Sequence, residues 1–170
     1  TRAASESGIY DNGMIQLHQN ESARGPGPKT MEALHSHVTQ RVGRGYPSDH
    51  VNELRAGIAN YYNVTTDNVQ LATGSTPLLQ GAVRAFCSAD KKFVTPMPTY
   101  SSSLSTALTI GAATQELSLD DSLGIDLDAL ADAAPGAGLL YFCNPNNPTG
   151  TAHGPDAVER FVRRVMREAP

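Results

Sequence analysis

The sequence predicts an α/β fold built on a mainly parallel sheet. Two observations carry this. From Val69 onward, short apolar runs alternate with segments of helical periodicity, the pattern of successive βα units. The run Leu139–Cys143 is apolar without alternation, as a parallel strand covered on both faces must be.

Residues 1–26 are polar and irregular and close on Gly25-Pro26-Gly27-Pro28, so they read as an arm with one short strand near Met14 to Leu17. A helix is expected from Lys29, with Met31, Leu34, Val38 and Val42 on one face and Gly43 to Gly45 ending it. After the turn Tyr46-Pro47-Ser48-Asp49, Asp49 is expected to cap a second helix that buries Leu54, Ile58 and Tyr61. These two helices lack an intervening strand and are expected outside the main sheet. The division expected is an arm with its first helix at 1–45, and the start of a larger domain at 46–170.

Val69–Ala72 then reads as a strand, and Leu78, Leu79, Ala82, Val83 and Phe86 as the buried face of a helix. Lys92–Thr95 is the next strand, followed by a helix over 101–110 despite its many Ser and Thr. Ala113–Leu119 alternates as a strand, Leu127–Ala133 is a short helix, and Leu139–Cys143 is the last strand. A helix over Asp156–Glu168 should set Val158, Phe161, Val162, Val165 and Met166 against Arg160, Arg163, Arg164 and Arg167, with Glu159 and Arg163 paired at i,i+4.

Composition narrows the function classes. Among 170 residues the formal charge is −4, with no basic block, which argues against nucleic acid as a partner. No apolar run approaches a membrane span. Cys87 and Cys143 are too few for a disulfide framework or a zinc site and read as buried, reduced thiols of a cytoplasmic protein. The five histidines form no metal pattern; His35 and His37 fall on different faces of their helix and read as surface residues. No metal is expected.

Ligands of open α/β sheets bind beyond the carboxyl ends of the strands. Three loops belong there. In Thr73-Gly74-Ser75-Thr76-Pro77, the glycine allows close backbone approach and the helix start favours an anion. Taken alone, the loop is better explained as a helix start, with Thr76 as N-cap and Pro77 at the first helical position. It contains neither a GxGxxG nor a Walker lysine, which argues against a dinucleotide or nucleoside triphosphate. In Pro96-Met97-Pro98-Thr99-Tyr100, the tyrosine could stack on a planar ligand or simply pack. In Asn144-Pro145-Asn146-Asn147-Pro148-Thr149-Gly150, turn formation accounts for one or two of the asparagines and less well for the whole heptapeptide.

That heptapeptide resembles the NPNNPTG signature of fold-type I aminotransferases that use pyridoxal 5′-phosphate. The other loops follow in the family's order: Tyr46-Pro47 is similar to its YP step, Gly74-Ser75-Thr76 to its phosphate loop, and Pro98-Thr99-Tyr100 to its PTY loop. Leu17-His18-Gln19-Asn20-Glu21 with Gly25-Pro26 resembles the opening of the histidinol-phosphate aminotransferase branch. The resemblance runs over roughly residues 15 to 168 and implies the first part of a mainly parallel large domain, preceded by an N-terminal arm and helices.

By resemblance, Gly74, Ser75 and Thr76 would hold the cofactor phosphate, Tyr100 would stack on the pyridine ring, and Asn147 would donate its amide to the phenolic oxygen. Asn144 and Asn146 would shape the loop, and the Asn147–Pro148 bond is expected to be cis. Tyr46 would reach the phosphate held by a second subunit, implying a homodimer with shared sites, and Asn20 would lie over the substrate. The implied reaction is ping-pong transfer of an amino group between an amino acid or amino-phosphate and a 2-oxo acid. The family's NENP is Asn20-Glu21-Ser22-Ala23 here, which leaves histidinol phosphate, a broader amino-acid range and another biosynthetic specialist all open. None of Lys29, Lys91 and Lys92 stands in the context of the Schiff-base lysine, so no catalytic residue is assigned within this chain. That lysine, the aspartate facing the pyridine nitrogen and the carboxylate-binding arginine are expected beyond Pro170, making these residues the N-terminal half of such an enzyme. A decarboxylase or carbon–sulfur lyase would present the same cradle, and a non-catalytic fragment is the remaining alternative.

Overall fold

The computed structural model describes residues 20, 22, 24–38 and 48–169. The expected strand near Met14, together with Val42, the Gly43–Gly45 helix end and Tyr46, lies outside the described residues. The chain divides into two units, Thr1–Ser48 and Asp49–Pro170. In the first, helix α1 (Pro28–His37) starts on Pro28 in its first turn, and none of its residues is buried. Met31, Leu34 and Val38, expected on one face, are 37%, 49% and 70% exposed. His35 and His37 are exposed, as expected.

The second unit opens with α2 (Ser48–Tyr62). Asp49 lies inside this helix rather than capping it. The expected buried stripe is also displaced: Leu54 and Tyr61 are exposed, Ile58 is half-buried, and the small Ala59 is the buried residue. A 3-10 turn follows at Thr66–Asn68. Val69–Ala72, expected as a strand, is not one. Val69 is extended (φ −118°, ψ 116°), but the segment finds no partner strand among the described residues. Local preference sets the backbone conformation, whereas a strand exists only when its N–H and C=O groups are paired.

The sheet has three parallel strands, β1 (Lys92–Met97), β2 (Thr114–Ser118) and β3 (Ala137–Leu140), in the order β2-β1-β3. Phe93 stands opposite Thr114 on one side and Leu139 on the other. The last strand stops at Leu140 rather than reaching Cys143, and the reason is Pro96. Tyr141 N–H donates to Val94 C=O at 2.8 Å. The next rung of a parallel ladder would need an N–H from Pro96, which has none, so β3 is released there.

Period-2 alternation sends β1 side chains to opposite faces. Phe93 joins Val83, Cys87, Leu104, Ala107 and Ala112 under α3 (Thr76–Phe86) and α4 (Ser102–Thr109). Val94 joins Ile125, Leu130, Ala131 and Phe161 under α5 (Leu127–Asp132) and α6 (Pro155–Glu168). The sheet is thus the middle layer of three. On α6 the expected apolar side is split. Phe161 is buried and Val165 packs beside it, but Val162 and Met166 are 43% and 71% exposed. The basic side behaves as expected, with Arg163 Nε donating to Glu159 at 2.8 Å. Arg164 bonds Asp128, Asp132 and Glu168, which ties α6 to α5. Both cysteines are free; Cys87 is buried, and Cys143 is only half-buried. Among the described residues, no helix is long and apolar enough to cross a membrane, and no cluster of metal-binding side chains occurs.

Candidate functional site

Three loops leave the carboxyl ends of the strands: 98–101 after β1, 119–126 after β2 and 141–154 after β3. The start of α3 joins them. Gly74 adopts φ +78°, a left-handed conformation that favours glycine. The helix cap is Ser75, not Thr76 as expected, and Ser75 makes no side-chain cap bond. This shift of one residue is compatible with Pro77. Lacking an N–H, it fits either of the first two positions of the helix, and here it takes the second. The first intrahelical bond is Leu79 N–H to Ser75 C=O at 3.0 Å, so the N–H groups of Thr76 and Leu78 precede it. Gly74 and Ser75 are exposed and Thr76 is half-buried.

Thr76 and Tyr100 meet directly. Thr76 Oγ1 lies 3.1 Å from the Tyr100 hydroxyl. The Tyr100 ring, 37% exposed, therefore sits beside the start of α3. One residue earlier, Thr99 is buried and donates to Asn146 Oδ1 at 2.6 Å. The first and third loops are thus joined through the heptapeptide.

Its three asparagines differ in their bonding. Asn144 is exposed; its amide donates to His153 C=O at 3.1 Å and accepts from His153 N–H at 2.8 Å, which closes the loop ahead of α6. Asn146 is 2% exposed. Besides accepting from Thr99, its amide donates to Pro98 C=O at 3.1 Å and to Thr149 Oγ1 at 2.9 Å. Asn147 is half-buried, and its side chain has no hydrogen-bond partner among the described residues. The Asn147–Pro148 bond is cis, as expected; Met97–Pro98 and Asn144–Pro145 are cis as well.

Tyr141 and Cys143 lead from β3 into the same region. Burial, with Cys143 alongside, pushes the Tyr141 phenol up to about 12. It therefore stays neutral at physiological pH and offers a fixed dipole rather than a charge. Lys91 and Lys92 are elsewhere. Lys92 begins β1, with Nζ donating to Gln115 at 2.7 Å, and Lys91 precedes it. Both lie at the amino end of the sheet, roughly 16 Å of strand from the loops. Lys29 belongs to α1 in the other unit, as Asn20 does to that unit. Asn20 is exposed, with φ 55°.

A profile for aminotransferase class I and II matches residues 12–169. The chain belongs to this family. It is 32% identical over 157 residues to a histidinol-phosphate aminotransferase of Limosilactobacillus fermentum, covering 91% of this chain and 44% of that protein. It is 35% identical over 160 residues to an aromatic amino acid aminotransferase of Nocardia farcinica, covering 93% and 44%. The chain thus spans less than half the length of these curated relatives. Among solved structures, the histidinol-phosphate aminotransferase of Sinorhizobium meliloti in complex with pyridoxal 5′-phosphate superposes with a TM-score of 0.75. Identity is 25%, with 86% of this chain and 40% of that one covered. Cystalysin of Treponema denticola, at 19% identity and TM-score 0.63, shares the fold.

In this aminotransferase chain the structure brings Thr76 and Tyr100 into contact and places Asn147 one residue from Asn146, the partner of Thr99. Asn20 belongs to the other unit, and Tyr46 lies outside the described residues. Sequence reasoning treated Asn146 only as a loop former. A sequence-level signal existed, since NPNNPTG carries more amides than turns require. What distinguishes the three, however, is burial and partners, which a sequence does not print.

Proposed function

We propose that the intact protein transfers an amino group between an amino acid or amino-phosphate and a 2-oxo acid, using pyridoxal 5′-phosphate. The observation that carries this reading is the division of labour in the heptapeptide. Asn146 is buried and fully bonded, while the adjacent Asn147 amide is accessible and unpartnered among the described residues. An amide held this way is a donor prepared for a ligand oxygen. The donor set around it suits the cofactor. The N–H groups of Thr76 and Leu78, with the Ser75 and Thr76 hydroxyls, suit a phosphate at a helix N-terminus. Gly74 carries no side chain to obstruct it.

When bound, the cofactor supplies an electron sink for the carbanion formed as the substrate loses its Cα proton. This chain's residues bind and orient. Gly74, Ser75 and Thr76 would hold the phosphate, the Tyr100 ring would stack on the pyridine, and the Asn147 amide would donate to the phenolic oxygen. That bond favours the phenolate over the phenol and lowers its pKa. No residue of this chain is assigned as the proton-moving base; Lys91 and Lys92 stand at the far end of the sheet. A homodimer in which Tyr46 reaches the phosphate held by the second copy, and contact of Asn20 with substrate, belong to the same proposal. So does a cytoplasmic setting, which two free thiols fit.

The test is Asn147→Ala in the intact protein, read by pyridoxal 5′-phosphate affinity and by a pH titration of the bound cofactor's absorbance. Loss of one hydrogen bond to a charged oxygen predicts about tenfold or more weaker binding and a shifted titration. An unchanged titration with unchanged affinity refutes the assignment.

A further inference from the structure

The hydrogen bonds of Asn146 continue past the heptapeptide, and their directions can be assigned. Thr151 Oγ1 donates to Leu123 C=O at 2.8 Å. Its one hydroxyl proton is then used, so in the 2.8 Å contact between Thr149 and Thr151 hydroxyls Thr149 is the donor. Thr149 in turn accepts from Asn146 Nδ2. The result is a directed run: Asn146 amide to Thr149 hydroxyl to Thr151 hydroxyl to Leu123 carbonyl. Leu123 sits in the loop after β2, where Asp120 accepts from Ser122 and Gly124 N–H groups, each at 2.8 Å. The same Asn146 nitrogen donates to Pro98 C=O, and its Oδ1 accepts from the Thr99 hydroxyl, both in the loop after β1. Its backbone also bonds Thr151 C=O at 2.8 Å and Gly150 N–H at 2.7 Å. One buried side chain therefore ties together all three loops at the carboxyl edge of the sheet.

We propose that Asn146 is the positioning residue of this site: it sets the distance between the Tyr100 ring and the Asn147 amide, so that the two cofactor contacts act as one unit. The inference rests on the proposed assignment of Tyr100 and Asn147 to the cofactor. The covalent neighbours make it direct, because Thr99 precedes Tyr100 and Asn146 precedes Asn147. A satisfied polar network of this kind stiffens its surroundings, since every member constrains the next. Fixed spacing matters because ring stacking and an amide hydrogen bond on one rigid ligand cannot adjust independently.

The experiment uses the intact protein with pyridoxal 5′-phosphate as the probe and measures affinity and the absorbance titration of the bound cofactor. Asn146→Ala and Thr99→Val are each expected to weaken binding about tenfold and to shift the titration, whereas Thr99→Ser, which keeps the hydroxyl, is expected to bind as the parent does. Asn146→Ala combined with Asn147→Ala should lose less affinity than the product of the two single losses, because the two cofactor contacts act as one unit. Should Asn146→Ala fail to fold, the Thr99→Val and Thr99→Ser pair decides the matter. Effects of Asn146 and Asn147 that simply multiply overturn the inference. So does parent-like binding by Asn146→Ala or Thr99→Val while Asn147→Ala is impaired, and that result leaves the proposed function standing. A parent that binds no cofactor, or an Asn147→Ala protein indistinguishable from it, overturns the functional assignment and this inference together. In the cofactor-free protein, Asn146→Ala should speed amide hydrogen exchange in segment 98–101 as well as in 144–151. Faster exchange confined to 144–151 overturns the inference.

Discussion

Gly138 in β3 faces the end of α3, and its hydrogen is all that fits there. A Cβ built at this position would lie 2.0 Å from Phe86 C=O oxygen, 2.9 Å from the carbonyl carbon and 3.0 Å from Lys91 Cβ. A carbon and a carbonyl oxygen need about 3.3 Å, so Gly138→Ala requires β3 and the end of α3 to separate by more than an ångström. The atom met first is backbone, so no rotamer change relieves the contact. The separation would open the cluster of Val83, Cys87, Phe93 and Leu104, against which Leu139 packs. Overpacking of this severity costs about 3 kcal/mol or more, a large share of the 5–15 kcal/mol typical of a domain. Urea unfolding followed by circular dichroism measures it. The midpoint should fall at unchanged slope, because the surface exposed on unfolding is unchanged. A loss below about 1 kcal/mol would refute the claim that β3 is seated on the Phe86 backbone.

Three further outcomes are expected. Asp126 caps α5, accepting from Asp128 and Ala129 N–H groups at 3.0 Å each, so Asp126→Ala should cost about 1 kcal/mol in the same assay. Tyr141, with its pKa raised from 10.0 to about 12, binds its proton more tightly folded than unfolded. Its contribution to stability is complete below pH 10 and is lost as pH rises toward 12; pH-dependent unfolding should show this loss in the parent and its absence in Tyr141→Phe. Arg164 bridges α6 to Asp128 and Asp132 of α5, so Arg164→Ala should lower the melting temperature at low salt, with the difference shrinking as salt is added.

Much of the fold is legible in the sequence because it is written in periodicity. The strands at Lys92–Met97 and Thr114–Ser118 and the helices α3 to α6 fall close to where alternation and helical spacing put them. The departures share one cause: each depends on a partner distant in the chain. Val69–Ala72 has the residues of a strand without a neighbour to pair with among the described residues. Leu140 ends β3 because of a missing N–H on Pro96 of another strand. Leu54 and Tyr61 carry a helical stripe, yet burial needs an opposing surface as well as a stripe. Gly138 looks like any glycine until Phe86 is placed against it.

The site follows the same logic at finer grain. In one dimension Asn144, Asn146 and Asn147 are alike: three amides beside prolines, each fit for a turn. Folding separates them by what lies within reach. Asn144 meets the backbone of His153 and closes the loop on itself. Asn146 is drawn into the space between loops and bonds at both ends of its amide. Asn147 follows it half-buried, with no side-chain hydrogen-bond partner among the described residues. A buried amide left unbonded would cost about 1–3 kcal/mol, so the fold can hold Asn146 inside only by surrounding it with donors and acceptors. Those same partners, Pro98 and Thr99, immediately precede Tyr100. The requirement to satisfy one buried asparagine therefore ties the segment that carries Tyr100 to the segment that carries Asn147, and under the proposed function the same side chain would set both stability and ligand geometry.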